Sequence, residues 1–187
     1  MSPEPPFTLV TGNPNKLLEA ERVVGRPLRC EPLDLPEIQS LDLLEVLRAK
    51  GDEAWQRLQR PVVVEETGLA LPAMGGFPGP LVKWMLEAIG PVGIARTVHA
   101  LGDPRAVAQC ALLYRDGDVV LIAEGETQGQ LVERPRGSGG FGWDPVFVPA
   151  GQQLTCAELD PKVKDALAHR GRAWRNFQTV LEGAGVI

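Results

Sequence analysis

Two neighbouring carboxylates, Glu65 and Glu66, follow three β-branched residues in VVVEETGL. The pattern reads as a buried strand that delivers acidic side chains to its own end, where open α/β sheets gather their sites. Successive strand residues point to opposite faces. One carboxylate is therefore expected to face a cleft, and the other to find its partner elsewhere. A carboxylate beside phosphate oxygens calls for a hard cation such as Mg2+, which takes one or two carboxylates plus phosphate. Glu37, in DLPEIQS, is the candidate second ligand. The plain alternative is a pair of surface glutamates.

Three other stretches carry chemistry. TGNPNK joins a strand to a helix start through a Gly and Asn turn, a way to present backbone N–H groups to phosphate. Lys16 opposes the positive end of the helix dipole there, which makes sense if an anion is bound. The alternative is an ordinary turn with a solvated lysine; GxxxxGK[ST] is absent. FGWDPVF offers Phe141 or Trp143 to stack on a base and Asp144 to accept from a base edge or an arginine. KDALAHRGRA adds Lys164, His169 and Arg170 as donors. Read blandly, Trp143 is core, Asp144 a turn residue, and His169 and Arg170 a charge cluster at a helix end. GGFPGP reads as a stiff loop without chemistry.

The elements that must position these residues follow from the chain's punctuation. PFTLVTG is a strand ending at Gly12. Asn13 caps a helix through Val24, with Leu17, Val23 and Val24 on its apolar side. LRCEPLDLPEIQS is strand then loop, broken by Pro32 and Pro36. Asp42 caps a helix whose Leu43, Leu44, Leu47, Ala54, Trp55 and Leu58 recur at helical spacing, and Pro61 ends it. VVVEE is a strand and TGLALPAMGGFPGP a loop. LVKWMLEAIG is a helix stopped by Gly90–Pro91, and GIARTVHAL a second one. Two strands follow, joined by a hairpin turn at Asp116–Gly117. RPRGSGGFGWDPVFVPAG is loop then strand. Asp160 and Pro161 open the last helical part as N-cap and N1, with Gly171 as a break. Strands alternate with helices and then pair in a hairpin, which predicts a mixed α/β sheet with flanking helices.

Composition bounds the answer. At 187 residues and 44% hydrophobic, the chain suits one domain, or two lobes sharing a core. A net charge of −5 and no Lys/Arg block exclude a general nucleic-acid binder. Of 19 basic residues only Lys16, Lys50, Lys83, Lys162 and Lys164 are lysines, so 14 are arginines. Three widely spaced cysteines without CxxC point to a reducing compartment and no zinc site. MSPEPPF has neither a basic stretch nor an apolar region of the kind a secretory leader needs. No apolar run approaches the length of a membrane span. The expected location is the cytoplasm.

In order, TGNxNK, LPE, VEETGL, GGFPGP, KWML, FGWDPVF and AELxPxxKxxxxHRGRA resemble the inosine triphosphate pyrophosphatase family, over nearly the whole chain. GGFPGPLVKWML is close to the eukaryotic-type members. The resemblance implies an elongated mixed α/β fold, two lobes around a central substrate cleft, and a homodimer. It implies Mg2+-dependent hydrolysis of ITP, dITP and XTP to the monophosphate and pyrophosphate. By the same resemblance, Thr11, Gly12, Asn13 and Lys16 form the triphosphate loop, and Glu37 is a metal ligand. Glu66 stands where the family has an aspartate that is metal ligand and proton acceptor, followed by Thr67. Lys50 is a phosphate-facing lysine. Phe141, Gly142, Trp143 and Asp144 form the base-binding segment, and Lys164, His169 and Arg170 are the last substrate contacts. The chain departs from the family in having Glu66 for aspartate, Ala168 for serine and Asp165 for asparagine. Two rival readings are a pyrophosphatase of pyrimidine or modified nucleotides, and a nucleotide sensor with little turnover.

Overall fold

A computed structural model describes residues 6–187; the leader-free reading of MSPEPPF rests mostly on residues 1–5, outside the described residues. The elements in chain order are β1 (Thr8–Val10), α1 (Pro14–Val24), β2 (Cys30–Glu31), α2 (Leu43–Leu58), β3 (Val62–Ala70), a 3₁₀ turn (Pro72–Met74), β4 (Pro78–Gly79), α3 (Val82–Ala100), β5 (Arg105–Asp116), β6 (Val119–Leu131), β7 (Phe147–Pro149), α4 (Pro161–Leu167) and α5 (His169–Gly183). Seven strands form one mixed sheet in the order β2-β1-β3-β5-β6-β7, with β4 on β3. β1 runs parallel to β2 and β3, and every other pair is antiparallel. The fold class is the expected one. Among the described residues no helix is long and apolar enough to cross a membrane.

The expected caps form. Asn13 accepts from the Asn15 N–H, Asp42 from those of Leu44 and Glu45, and Asp160 from that of Lys162. Each satisfies a donor that the helix start leaves without a partner. The sheet then buries its two faces differently. Val63, Cys110 and Leu112 meet Trp174, Phe177 and Leu181 of α5, with Ala20 of α1. Val62, Val64, Ala111 and Leu113 meet Leu43, Leu47 and Ala54 of α2. This is the period-two alternation of a strand buried on both sides. A third cluster, with Leu69, Leu71, Ile94, Val98, Ala108, Trp143 and Phe147, packs α3 on the far end of the same strands.

Four boundaries differ from the sequence reading. β3 does not end at Glu66 but runs on to Ala70, because Thr67 through Ala70 pair with Cys110 through Val107 of β5. A continuous ladder outweighs the loop signal of Thr67–Gly68. Within the expected loop, Pro78–Gly79 forms a short strand against Leu69 and Ala70. The hairpin turn lies one residue later, at Gly117–Asp118, since Asp116 still pairs with Val119. The helical part after Asp160 breaks at Ala168, whose backbone is extended (φ −79°, ψ 158°), and Gly171 lies inside α5. The expected break at Gly90 is present as a kink in α3, with φ 65° and ψ 174°.

Gly171 has a packing reason. A Cβ there would stand 1.7 Å from the backbone oxygen of Asp165, so α5 can start against the end of α4 only without a side chain. Gly12, by contrast, has open space. Gly171→Ala is expected to lower unfolding free energy by about 3 kcal/mol, an overpacking cost. Gly12→Ala is expected to change it by less than about 0.5 kcal/mol. Urea unfolding of both variants checks the contrast.

Candidate active site

β1 stops at Val10, opposite Val64 of β3. β4 takes up pairing with β3 only at Leu69. Between them, β3 at Glu65, Glu66 and Thr67 has no strand paired on that side among the described residues, while β5 covers the other edge throughout. A cavity of about 570 Å³ opens at this gap. It collects the turn after β1 (Thr11, Gly12, Asn13), Lys16 of α1, the 32–37 loop, Lys50 of α2, the β3 carboxylates, the start of α3, and the 141–144 and 169–170 segments. The expectation that only one of the two glutamates would face the cleft is overturned. Both line it, because the uncovered edge lets side chains from opposite faces reach one opening.

The two carboxylates have different partners. Glu66 Oε2 accepts from Lys50 Nζ at 2.5 Å, and Lys50 also donates to Glu37 Oε1 at 2.9 Å. Burial alone would lower the Lys50 pKa; Glu66 and Glu37 outweigh it and raise it. Glu65 accepts from Arg170 Nε at 3.0 and 3.2 Å and has Lys16 Nζ at 3.3 Å. Burial would raise the Glu65 pKa, but Arg170 and Lys16 hold it below the usual range.

Behind this lies a second ring of charge. Glu19 of α1 accepts from Lys164 Nζ and Arg170 Nη1, both at 2.6 Å. Lys164 also donates to Asp144 Oδ2 at 2.6 Å, and that oxygen accepts the Phe141 N–H at 2.8 Å. Asp144, Lys164, Glu19, Arg170, Glu65 and Lys16 thus form an unbroken series of alternating charge. Lys164 is not among the cavity-lining residues and stands one layer behind, where it sets Asp144. The guanidinium of Arg170 is 5.0 Å from the centre of the Phe141 ring, and Lys164 Nζ is 5.4 Å from it.

The wall formed by Trp143 and His169 holds unmet polar atoms. Trp143 and His169 face each other with ring centres 5.7 Å apart. Trp143 Nε1 and both ring nitrogens of His169 are buried without a partner among the described residues. Such atoms cost roughly 1–3 kcal/mol each unless something supplies the bond. Burial, with Arg170, Lys164 and Lys16 nearby, holds His169 well below its ordinary pKa, so the ring is neutral near pH 7.

Of the residues singled out in the sequence, Thr11, Gly12, Asn13, Lys16, Glu37, Lys50, Glu66, Thr67, Phe141, Gly142, Trp143, Asp144, His169 and Arg170 line the one cavity. Glu19, Glu65 and Lys83 had been assigned no role. Glu19 had a signal: it lies one turn before Val23, on the apolar side of α1, where the structure buries it. Lys83 had the same signal as Lys16, a cation in the first turn of a helix without an acid there. It lies 3.8 Å from Glu37 Oε2.

The donor set suits a hard cation. Glu37 and Glu66 come from two separate segments and converge on one positive centre, the Lys50 ammonium. Among the described residues no group of three metal-binding side chains occurs. Mg2+ needs no more than one or two carboxylates when phosphate completes its shell. Glu37 and Glu66 therefore fit as its holders.

The pattern of the Ham1 family matches residues 7–180. The inosine triphosphate pyrophosphatase of Batrachochytrium dendrobatidis is 41% identical over 169 residues, 88% of this chain and 87% of that one. A HAM1 protein from Coxiella burnetii superposes with a TM-score of 0.79 at 26% identity, covering 95% of this chain and 99% of the other. A nucleoside-triphosphatase, dITP/XTP pyrophosphatase from Mycobacterium abscessus superposes with a TM-score of 0.68 at 26% identity, over 94% and 98% of the two chains.

The buried neutral histidine sets a pH dependence. An unfolded chain takes up a proton near the ordinary value of 6.5, and the folded chain refuses it. Stability is therefore expected to be full above about pH 6.5 and to fall on acidification. Glu19, Glu37 and Glu65, all held below 4.5, add a further loss only at lower pH. Urea midpoints at pH 7.5 and 5.5 check this, and His169→Asn is expected to flatten the drop between them.

Proposed function

The chain belongs to the Ham1 family and is a nucleoside triphosphate pyrophosphatase; from that premise we propose that its substrates are ITP, dITP and XTP. The products are the nucleoside monophosphate and pyrophosphate, and the reaction depends on Mg2+. The observation that supports this most directly is the convergence of Glu66, Lys16, Trp143 and Arg170, from four distant segments, on one cavity.

The triphosphate lies along the turn after β1, with the Gly12 N–H and the Lys16 ammonium as donors, while the Asn13 N–H braces the turn on Thr11 Oγ1. Held by Glu37 and Glu66, Mg2+ supplies positive charge to the phosphate oxygens. Glu66 orients a water toward the α-phosphorus and accepts its proton. The new P–O bond forms as the bond between the α-phosphorus and the bridging oxygen breaks, and pyrophosphate leaves with that oxygen. Lys50 keeps Glu37 and Glu66 in register and offsets their charge. Most of the rate comes from positioning and fixed charge.

The purine enters between the 141–144 and 169–170 segments. Phe141 and Trp143 stack on any purine and add affinity without choice. Arg170 donates to a 6-oxo group, which accepts. The 6-amino group of ATP would meet that donor with another donor, at roughly 1–3 kcal/mol. His169, neutral and without a protein partner, supplies one further donor or acceptor to the base. The enzyme is read as a cytoplasmic homodimer on the strength of the family resemblance.

Release of pyrophosphate from ITP, XTP, GTP and ATP, with and without Mg2+, tests the assignment. Turnover is expected for ITP and XTP with the metal, and much less for ATP. Nucleotide binding without pyrophosphate release would support a sensor instead. Glu66→Gln is expected to abolish Mg2+-dependent turnover. Lys16→Ala is expected to lose on the order of a hundredfold in kcat/KM while keeping the wild-type circular dichroism spectrum. Wild-type turnover in either variant would refute the role given to that residue.

A further inference from the structure

Glu65 holds an unusual place among the cavity carboxylates. Glu66 and Glu37 both bond Lys50. Glu19 bonds Lys164 and Arg170, which both stand by the Phe141 ring. Glu65 differs from them in holding two cations from different segments on one oxygen, Oε1. Lys16, at 3.3 Å, stands in the first turn of α1, beside the turn after β1. Arg170, at 3.0 Å, belongs to the base-facing wall.

The two partners differ in freedom. Arg170 is buried and is also tied to Glu19 through Nη1. Lys16 is the more exposed, with 17% of its side chain accessible, and it pairs with Glu65. A carboxylate buried this deeply cannot be left without a cation. At any moment at least one of the two must hold it, and Arg170 is the one that can do so alone.

We propose that Glu65 is a positioning residue that couples the base end of the site to its phosphate end; the proposal rests on the reading of the site given above. Without ligand, the charge of Glu65 is divided between Lys16 and Arg170. A phosphate that draws Lys16 away leaves Glu65 to Arg170, which fixes the guanidinium for a 6-oxo purine. A base engaged by Arg170 favours the same arrangement and so releases Lys16 to phosphate. Each occupant therefore strengthens the other, by the same factor in both directions.

Calorimetric titration of pyrophosphate into the full chain at fixed MgCl2, with and without saturating inosine, measures the coupling. Inosine occupies the base end without bringing phosphate. In the wild type it is expected to lower the pyrophosphate Kd about fivefold, at the modest end of measured couplings. In Glu65→Gln the two Kd values are expected to agree. A loss of packing would shift both values together and leave their ratio unchanged. A wild-type ratio of one, or a fivefold ratio retained in Glu65→Gln, overturns the proposal. If Glu65→Gln fails to fold, Glu65→Asp decides: a ratio below wild type supports the coupling and an unchanged ratio overturns it. Failure of the wild type to release pyrophosphate from ITP would sink the functional reading by itself. Turnover of ITP without the inosine effect would sink the coupling alone.

Discussion

Six charges buried or nearly so, in strict alternation, are the constraint around which this molecule is arranged. Asp144, Lys164, Glu19, Arg170, Glu65 and Lys16 come from the loop before β7, from α4, α1, α5 and β3, and from α1 again. Each contact in the series is 3.3 Å or shorter. Taking such groups out of water costs several kcal/mol apiece, and mutual attraction repays it only with close geometry. Hydrophobic residues of the same volume would stabilise a fold at least as well. An interior that keeps three carboxylates and three cations beside a cavity is organised for a charged ligand more than for stability.

The series can exist because the sheet leaves it room. β1 is three residues long and β4 two, and they cover different parts of the same edge of β3. The unpaired stretch between them carries Glu65, Glu66 and Thr67. Had β1 continued, its backbone would occupy the space where the start of α1 meets the 141–144 and 169–170 segments. The short strand, followed at once by a capped helix, thus does two things. It opens the edge, and it aims the start of α1 with Lys16 into the opening.

The departures from the family pattern acquire local explanations. Asp165, where the family has asparagine, receives the Arg22 guanidinium at 2.7 and 3.1 Å. Its added charge is matched by α1 and is not left beside Lys164 uncompensated. Ala168, in place of serine, is the N-cap of α5 and makes no side-chain cap bond. A hydroxyl there could serve both the helix start and a ligand. Glu66, longer by one methylene than aspartate, reaches Lys50 directly. The carboxylate also folds back on its own strand, where Glu66 Oε1 accepts the Thr67 N–H at 3.2 Å.

Much was legible in the residues themselves. The helix starts at Asn13, Asp42 and Asp160 follow from side chains that bond their own backbone. The core faces of β3 follow from a period of two, and the kink at Gly90–Pro91 from ring and φ constraints. These are interactions within a few residues, so the local sequence determines them. The segments that meet at the cavity were also identifiable, because lysine at a helix start and adjacent carboxylates after an apolar run are locally unfavourable and therefore informative. What the tertiary structure alone decided is who pairs with whom. The partners in Glu19–Arg170, Glu65–Lys16 and Lys164–Asp144 stand 151, 49 and 20 positions apart. The extent of β3, the break at Ala168 and the entry of both glutamates into one opening depend likewise on pairing with β5, on packing of α5 against α4, and on where β1 stops. No local propensity encodes those contacts, because each arises only when distant chain segments share one low-dielectric interior.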